Sequence, residues 1–272
     1  MIRIRQLTKR YGDNAVLRGV DLDAAAGEFV VVLGESGAGK STLLRCVNRL
    51  AVADGGELNV DGMDAVQCAD TRALRQRVAM IFQHHNVVPR LSALKNVLTG
   101  RLGAVSTLAS VLHFFSRADI ALAHECLGRV GLAHKAHART DSLSGGQMQR
   151  VGIARALAQR PRVILADEPV ASLDPQTSRK VLQYLRDASR DLGITVLCNL
   201  HQVDYAREFA DRIVGLAQGR VVFDGAPQDM GQGDIDRIYM PPPANDIGDA
   251  IDIRDAAGPA ALPLQLMART EG

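Results

Sequence analysis

The fold is decided by residues 29–42, which read FVVVLGESGAGKST. The first five of these residues are apolar, and such a run is typical of a strand buried on both faces of a parallel sheet. From Gly34 to Thr42 the sequence matches G-x-x-x-x-G-K-[ST], whose glycines let the backbone fold around a phosphate with its N–H groups pointing inward. A helix that begins at Lys40 adds the positive end of its dipole. The stretch therefore predicts a strand, a phosphate-binding loop and a helix.

Two side chains of this loop carry specific expectations. Lys40 should reach the β- and γ-phosphates of a nucleotide, and Ser41 should ligate Mg²⁺. A chance glycine-rich turn is the alternative, which the full motif between a strand and a helix disfavours. The apolar face of the helix is expected at Leu43, Leu44, Val47 and Leu50. The predicted nucleotide-binding residues of the loop are Gly34, Glu35, Ser36, Gly37, Ala38, Gly39, Lys40, Ser41 and Thr42.

Strands and helices alternate through most of the chain. Short apolar runs at 78–82, 163–166 and 194–198 predict three more buried parallel strands. The clearest helical pattern begins after Asp174, where Pro175 suits a first helical position. Its apolar face and its C-terminal cap are predicted at Val181, Leu185, Ala188, Leu192 and Gly193. This alternation indicates an α/β fold.

Antiparallel strands are predicted at both ends of this core. Residues 2–5 and 16–22 read as exposed antiparallel strands that flank a turn at Gly12. Residues 213–216 and 220–223 read as a β-hairpin. The sequence therefore predicts an N-terminal antiparallel β subdomain next to the α/β core.

A helical subdomain interrupts the α/β alternation. The stretch from Leu91 to about Ala138 is mostly helical in pattern, so we expect an inserted helical subdomain at about 84–158. One domain is expected over residues 1–240. Residues 241–272 hold five of the ten prolines in an Ala- and Asp-rich context, and the triple proline at 241–243 fits neither a helix nor a central strand. They are predicted to be a poorly packed tail, with no specific role as the favoured interpretation.

Two acids follow the predicted strand at 163–166. A carboxylate at the C-terminal edge of a buried parallel strand points at the crevice where ligands bind. Asp167 is therefore predicted to be an indirect partner of Mg²⁺, acting through a water molecule or through another ligand of the ion. Glu168 is placed to polarise an attacking water as a general base. A pair of surface acids is the alternative, and the loop at 34–42 argues against it.

A Ser-Gly-Gly-Gln segment completes a recognisable set. Ser144, Gly145, Gly146 and Gln147 precede a predicted helix from Met148 to Ala158, and alone they could form an ordinary N-cap. With the phosphate loop upstream and the acidic pair downstream, the sequence resembles the ATP-binding-cassette (ABC) ATPases, a P-loop NTPase family in which this segment is the defining signature. The resemblance covers roughly residues 1–240.

The resemblance assigns roles to four further residues. Tyr11 lies where the family stacks an aromatic ring on adenine, although it could equally be a turn residue packed on the first strands. Gln83 matches a glutamine that senses Mg²⁺ and the attacking water. Asp174 matches a loop that communicates between the two sites of a dimer. His201 matches a histidine that contacts the γ-phosphate. The implied catalytic set is Glu168, His201 and Gln83, and the implied Mg²⁺ set is Ser41, Gln83 and Asp167.

The resemblance to the ABC ATPases also implies which partners the chain would have. The resemblance implies two ATP molecules and Mg²⁺ at the interface of a homodimer, where residues 144–147 of one copy face the phosphate loop of the other. It implies transmembrane permease subunits as partners, a periplasmic substrate-binding protein as an indirect one, and a peripheral position at the cytoplasmic face of the inner membrane. No nucleic-acid partner is expected.

Three stretches of the sequence indicate which substrate would be transported. Residues 82–103, 167–174 and 199–204 resemble the ATP-binding subunit of bacterial phosphonate importers. A related oxyanion, phosphite or phosphate, and a polar amino acid remain alternatives, because His84-His85 and the proline-rich tail depart from that pattern. A metal role for His84-His85 is set aside in favour of a solvated loop, since adjacent side chains do not easily share one ion. A non-transport ABC ATPase is disfavoured by the single cassette and the lack of a heptad run, and a scaffold without turnover by the presence of Glu168 and His201.

Composition excludes several classes of protein. The 272 residues include 32 Lys+Arg against 30 Asp+Glu, a net charge of +2, which argues against a dedicated nucleic-acid binder. The four cysteines are scattered without a C-x-x-C pair, which favours a reducing cytosol. No signal peptide is recognised at the start. No charge-free apolar run approaches the ~18 residues that span a bilayer. Residues 241–272 are fewer than the ~40 needed for an independent core, so an appended regulatory domain is not expected.

Overall fold

The computed structural model of the protein describes residues 1–68, 70–83, 86–105 and 114–240. Its strands are β1 (Ile2–Tyr11), β2 (Asn14–Ala24), β3 (Phe29–Leu33), β4 (Gly55–Val60), β5 (Met63–Asp64), β6 (Val78–Ile81), β7 (Val163–Asp167), β8 (Thr195–Leu200), β9 (Arg212–Ala217) and β10 (Arg220–Gly225). Its α-helices are α1 (Lys40–Val47), α2 (Thr71–Arg77), α3 (Ala93–Leu98), α4 (Arg117–Arg129), α5 (Gly145–Ala158), α6 (Pro175–Leu192), α7 (Val203–Phe209) and α8 (Gln232–Tyr239). The predictions for His84-His85 and for the tail at 241–272 lie outside the described residues.

The main sheet carries the predicted parallel strands. Its order is β10-β9-β3-β8-β7-β6, and β9, β3, β8, β7 and β6 run parallel while β10 closes a hairpin with β9. Every residue of β3, β7 and β8 is buried, as expected for strands covered on both faces. The predicted bounds differ slightly: β6 ends at Ile81 rather than 82, and β8 covers 195–200 rather than 194–198. Because β3, β7 and β8 are adjacent, the segments that follow them meet at one edge.

The N-terminal antiparallel subdomain is confirmed and is larger than predicted. Strands β1 and β2 pair antiparallel across the turn at Gly12, and the full order is β2-β1-β4-β5. Strands β4 and β5 were not predicted from the sequence. This sheet shares a hydrophobic core with α1 and with one face of the main sheet. Helix α1, which begins at Lys40, is therefore packed against both sheets.

The described part of the inserted segment is helical. Helices α3 and α4 pack with α5 over the other face of the main sheet, in a second hydrophobic core. Ser116 caps α4 in a capping box with Asp119. Helix α5 begins at Gly145, one turn before the predicted Met148, because the Ser-Gly-Gly-Gln segment itself forms the first turn. Within the described residues, no helix is both long and apolar enough to span a bilayer.

Two predicted core residues are instead exposed. Leu50 is 49% exposed, because α1 ends at Val47 and Asn48 caps it, so the helical period no longer applies at 50. Leu192 is 44% exposed, since it is the last residue of α6 and Gly193 turns the chain at φ 64°. The rest of both predicted faces is buried: Leu43, Leu44, Val47, Val181, Leu185 and Ala188.

Candidate functional site

The phosphate loop lies between β3 and α1, as predicted. At Gly39 φ is 107°, and a Cβ there would lie 2.9 Å from the carbonyl oxygen of Val16. At Gly34 a Cβ would collide with the carbonyl oxygen of Leu216. These two glycines are therefore required for the loop to pass so close to neighbouring strands. The loop therefore lies in close contact with β2 of the antiparallel sheet and with β9 of the main sheet.

Lys40 is folded back into its own loop. Its side chain is buried, and Nζ donates hydrogen bonds to the carbonyl oxygens of Gly34 at 2.7 Å and Glu35 at 2.9 Å. Burial lowers the pKa of the ammonium, while the carboxylates of Glu168 and Asp167 oppose that shift. The cation therefore lies inside the ring of backbone that would surround a phosphate, with acids nearby.

Asp167 joins the loop to the sheet. Ser41 Oγ donates to Asp167 Oδ1 at 2.8 Å, and Asn199 Nδ2 donates to the same oxygen at 2.9 Å. Asp167 ends β7 and is 6% exposed, and Asn199 lies opposite it in β8 and is fully buried. Sequence reasoning missed Asn199, although an amide at the end of an apolar strand run was a signal that could have found it.

Glu168 and His201 form the second polar contact of the site. Glu168 follows β7 with φ 49°, His201 follows β8, and His201 Nε2 lies 2.6 Å from Glu168 Oε1. Tyr239, the last residue of α8, donates its hydroxyl to the carbonyl oxygen of His201 at 2.7 Å. Nothing in the local sequence pointed to Tyr239, because the contact depends on where α8 packs.

The residues present suit a hydrated magnesium ion. Ser41 and Asp167 offer adjacent oxygen atoms, and Mg²⁺ takes one or two protein oxygens together with waters and substrate phosphates. Within the described residues, no cluster of three or more His, Cys, Asp or Glu side chains could hold a metal ion by itself. Gln83 is exposed two residues beyond β6, and among the described residues no hydrogen bond joins it to Ser41 or Asp167.

The Ser-Gly-Gly-Gln segment is a helix cap in this chain. Ser144 Oγ accepts a hydrogen bond from the N–H of Gln147 at 3.3 Å, and Gln147 Oε1 accepts one from the N–H of Ser144 at 3.0 Å. A Cβ at Gly146 would collide with Thr177 of α6. Within the described part of a single chain, no hydrogen bond or ion pair joins residues 144–147 to the phosphate loop.

Tyr11 and Asp174 lie apart from the polar cluster. Tyr11 is 50% exposed, and Lys9 Nζ lies 5.2 Å from its ring centroid while also pairing with Asp54 at 2.8 Å. The turn that holds Tyr11 thus keeps its ring on the surface. Asp174 caps α6 by accepting a hydrogen bond from the N–H of Thr177 at 3.0 Å, and the bonds from Thr177 hold the pKa of this carboxyl below its usual range.

Comparison with known proteins agrees with this geometry. A family profile described as ABC transporter matches residues 17–171, more than half of the chain. The chain is 53% identical over 240 residues to "Phosphonates import ATP-binding protein PhnC" of Thiobacillus denitrificans, covering 88% of this chain and 92% of that relative. It is also 53% identical over 240 residues to "Phosphite import ATP-binding protein PxtA" of Stutzerimonas stutzeri, covering 88% and 87%.

Solved structures give the same result. A dimeric bacterial ABC transporter cassette is 35% identical, with a TM-score of 0.74 over 84% of this chain and 99% of that one. A dimeric cassette in a post-hydrolysis state, bound to ADP and Pi, is 34% identical with a TM-score of 0.70 over the same shares. The loop, the acidic pair and the capped signature helix thus occur in the fold on which such cassettes bind nucleotide, and the chain belongs to the ABC transporter family as an ABC ATPase.

Proposed function

We propose that this chain is the ATP-hydrolysing subunit of a bacterial importer of phosphonates, acting as a homodimer on separate permease subunits. The observation that carries the chemistry is the grouping of Lys40, Ser41, Asp167, Glu168 and His201 at one edge of the sheet. The named import function of relatives at 53% identity supports the transport role.

The loop would bind the phosphates of ATP. Lys40 has three donor hydrogens, and its hydrogen bonds within the described residues use two of them on Gly34 and Glu35. One donor is left for a phosphate oxygen inside the backbone ring. The N-terminus of α1 adds its partial positive charge at the same place. Tyr11 would offer the exposed face of its ring to the adenine.

Ser41 and Asp167 would hold Mg²⁺, with Gln83 as a further ligand. When bound, the ion neutralises charge that develops on the phosphate oxygens. Ser41 Oγ and Asp167 are already joined by a hydrogen bond, so both groups are oriented toward the same small volume. The segment after β6 would have to bring Gln83 to this volume, which fits its position at the same edge of the sheet.

Glu168 would act as the general base. One of its oxygens pairs with His201, and the other, which has no hydrogen bond among the described residues, would accept a proton from a water molecule. The left-handed backbone at Glu168 turns its side chain out of the strand direction. Before ATP binds, His201 would hold that carboxylate in place; once Glu168 turns to the water, the Nε2 of His201 would donate a hydrogen bond to the γ-phosphate instead.

A second copy of the chain would complete each site. Ser144 is exposed at the N-terminus of α5, where its hydroxyl and the amides of Gly145 and Gly146 could meet a γ-phosphate from a partner's loop. Gln147 would keep the cap in shape. Asp174, at the start of α6, lies in the segment that would pass the state of one site to the other. The solved dimeric cassettes support this arrangement.

The proposed partners follow from the same role. The inserted helices at about 84–158 would transmit the dimer's opening and closing to the permease, and a periplasmic substrate-binding protein would act indirectly. The chain would work at the cytoplasmic face of the inner membrane. The catalytic domain is proposed to cover 1–240, with 241–272 as an appended tail.

Phosphite import is the second candidate. The relatives named for phosphonates and for phosphite are each 53% identical over 240 residues, so overall identity favours neither. Both substrates are small phosphorus oxyanions, and a binding protein and a permease would select between them.

ATP-driven uptake tests this function directly. Vesicles that contain this chain, the permease and the binding protein from the same gene cluster should take up labelled methylphosphonate when ATP is supplied. Phosphite, phosphate and a polar amino acid serve as competitors, and vesicles with Lys40→Ala serve as the inactive control. Uptake of phosphite alone would favour the second candidate, and no ATP-dependent uptake of either oxyanion would reject the importer assignment.

A further inference from the structure

One amide atom of Asn199 has no hydrogen-bond partner in the part of the chain that the structure describes. The side chain is fully buried in β8, which lies between β3 and β7 at the centre of the main sheet. Its Nδ2 donates to Asp167 Oδ1, whereas its Oδ1 has no hydrogen-bond partner among the described residues. A buried acceptor without a donor is costly, so such an atom calls for an unseen water, ion or ligand.

The orientation of this amide is decided by its neighbour. An ionised carboxylate only accepts hydrogen bonds, so the atom of Asn199 that faces Asp167 must be the NH₂ group. The flipped amide would place two oxygens against each other. The atom without a partner among the described residues is therefore the carbonyl oxygen, which is bonded to the same carbon as the Nδ2 that donates to Asp167.

The two hydrogen bonds described for the Asp167 carboxylate involve only one of its oxygens. Ser41 and Asn199 both donate to Oδ1, so the two contacts fix the carboxylate plane and leave Oδ2 outside this pair of bonds. Asp167 Oδ2 and Asn199 Oδ1 are then two acceptors at the buried wall of the site. Acceptors of this kind suit the waters that Mg²⁺ retains when it binds through few protein oxygens.

We infer that Asn199 is a positioning residue for the divalent cation: its Nδ2 orients Asp167, and its Oδ1 accepts a hydrogen bond from a water of the cation's hydration shell. This inference rests on the proposed function and adds to it a residue outside the expected set of Ser41, Gln83 and Asp167. A purely structural role, in which the amide only ties β8 to β7, would leave the buried Oδ1 unexplained.

Metal affinity separates the two roles. The probe is Mn²⁺, followed by electron paramagnetic resonance on the full chain with a non-hydrolysable imido analogue of ATP. Asn199→Leu keeps the γ-branched shape of the side chain but removes both polar atoms, and we expect it to weaken Mn²⁺ binding about tenfold. Affinity for the analogue without metal should change less than twofold. Cys198→Ala changes the buried residue that directly precedes Asn199 in β8. It serves as the control and should leave Mn²⁺ binding intact.

A second variant keeps the test decisive if Asn199→Leu does not fold. Asn199→Asp is nearly isosteric and places a carboxylate beside Asp167, so it should melt at a lower temperature than the wild type without metal. A cation next to both groups should raise its melting temperature more than it raises that of the wild type. Equal Mn²⁺ affinity of Asn199→Leu and the wild type, or no extra metal-dependent recovery of Asn199→Asp, would overturn the inference. If the wild type itself binds neither the analogue nor Mn²⁺, the proposed function fails instead.

Discussion

Glu168 and His201 are 33 residues apart in the chain, and Oε1 of the first lies 2.6 Å from Nε2 of the second. The contact exists because β7 and β8 are neighbours, so the residues that follow them share an edge. Glu168 keeps a left-handed backbone at φ 49°, a conformation that is uncommon outside glycine, and the hydrogen bond helps to maintain it. The pair therefore holds a carboxylate at the carboxyl edge of the main sheet, where we propose that it activates a water.

Replacement of Glu168 by glutamine tests the base directly. Glu168→Gln keeps the shape and the contact with His201 but removes the proton acceptor, so ATP hydrolysis should fall by about 10²–10⁴-fold. ATP should still bind, and the variant should elute as a dimer in size-exclusion chromatography with ATP. Glu208→Gln, at a surface acid paired with Arg179, is the matched control and should keep full activity. A Glu168→Gln variant that hydrolyses ATP normally, or stays monomeric with ATP, would contradict the assignment.

Tyr239 should influence turnover from outside the reacting groups. Its hydroxyl donates to the carbonyl of His201, and burial raises the pKa of Tyr239 to about 12, so the donor stays protonated near neutral pH. Tyr239→Phe removes one hydrogen bond worth about 0.5–1.5 kcal/mol. We expect kcat to fall several-fold while the KM for ATP changes little, because the bond orients His201 rather than the nucleotide.

The control for Tyr239→Phe is Tyr205→Phe on α7. The guanidinium of Arg179 lies over the ring of Tyr205. Both variants should melt within about 4 °C of the wild type. Equal turnover of Tyr239→Phe and Tyr205→Phe would show that the α8 contact does not position His201.

The glycines of the phosphate loop differ in how much they tolerate a side chain. Gly37 and Gly39 both have positive φ, but only the Cβ of Gly39 would lie 2.9 Å from Val16 O and from Leu17. A Cβ built at Gly37 would meet no heavy atom of the described residues within 4 Å. Gly37→Ala should cost about 1–2 kcal/mol from backbone strain alone. Gly39→Ala should cost about 1–3 kcal/mol more from overpacking. Urea unfolding of both variants measures the difference, and equal costs would contradict this explanation.

The predicted parts of the fold are those written in contiguous sequence. The strand before Gly34, the loop to Thr42 and the helix from Pro175 each follow from a local run of residues, and the structure confirms them. The predictions that Leu50 and Leu192 lie on buried helix faces were wrong, because a periodic pattern of apolar residues does not reveal where a helix ends. The end of a helix is decided by its cap or its last turn, and both depend on the residues that follow the helix.

The missed parts of the site depend on contacts between distant segments. Asn199 meets Asp167 only because β8 lies beside β7, and Tyr239 reaches His201 only after α8 has packed on the hairpin of β9 and β10. Neither residue belongs to a motif that names its chemistry. Sequence motifs therefore identified the groups expected to contact the nucleotide, and the structure was needed to find the groups that hold them.

Lys40 should be required for hydrolysis but not for folding. Lys40→Ala removes the only side-chain cation that the described residues place inside the loop, so steady-state ATP hydrolysis should be abolished. Its pKa is lowered by burial, so loss of the side chain also removes an unfavourable desolvation, and the melting temperature should not drop strongly. Lys180→Ala, at an exposed position of α6, is the control. Normal turnover of Lys40→Ala would reject the phosphate-binding role.

Removal of residues 241–272 should leave the ATPase intact. Every residue assigned to the site precedes Pro241, and α8 is anchored by Ile238, which is fully buried against Gly215, and by Tyr239. A chain that stops at Met240 keeps both anchors, so its kcat and its melting temperature should match those of the full chain.

A chain that stops at Met230 loses both anchors and serves as the contrast. Because Ile238 leaves a cavity over Gly215 and His201 loses its backbone partner, this shorter chain should unfold about 3 kcal/mol more easily and turn over ATP more slowly. Urea unfolding and steady-state ATP hydrolysis of the two truncations measure the difference. If the chain that stops at Met240 is destabilised as strongly as the chain that stops at Met230, the tail itself stabilises the domain, and the division at 240 is wrong.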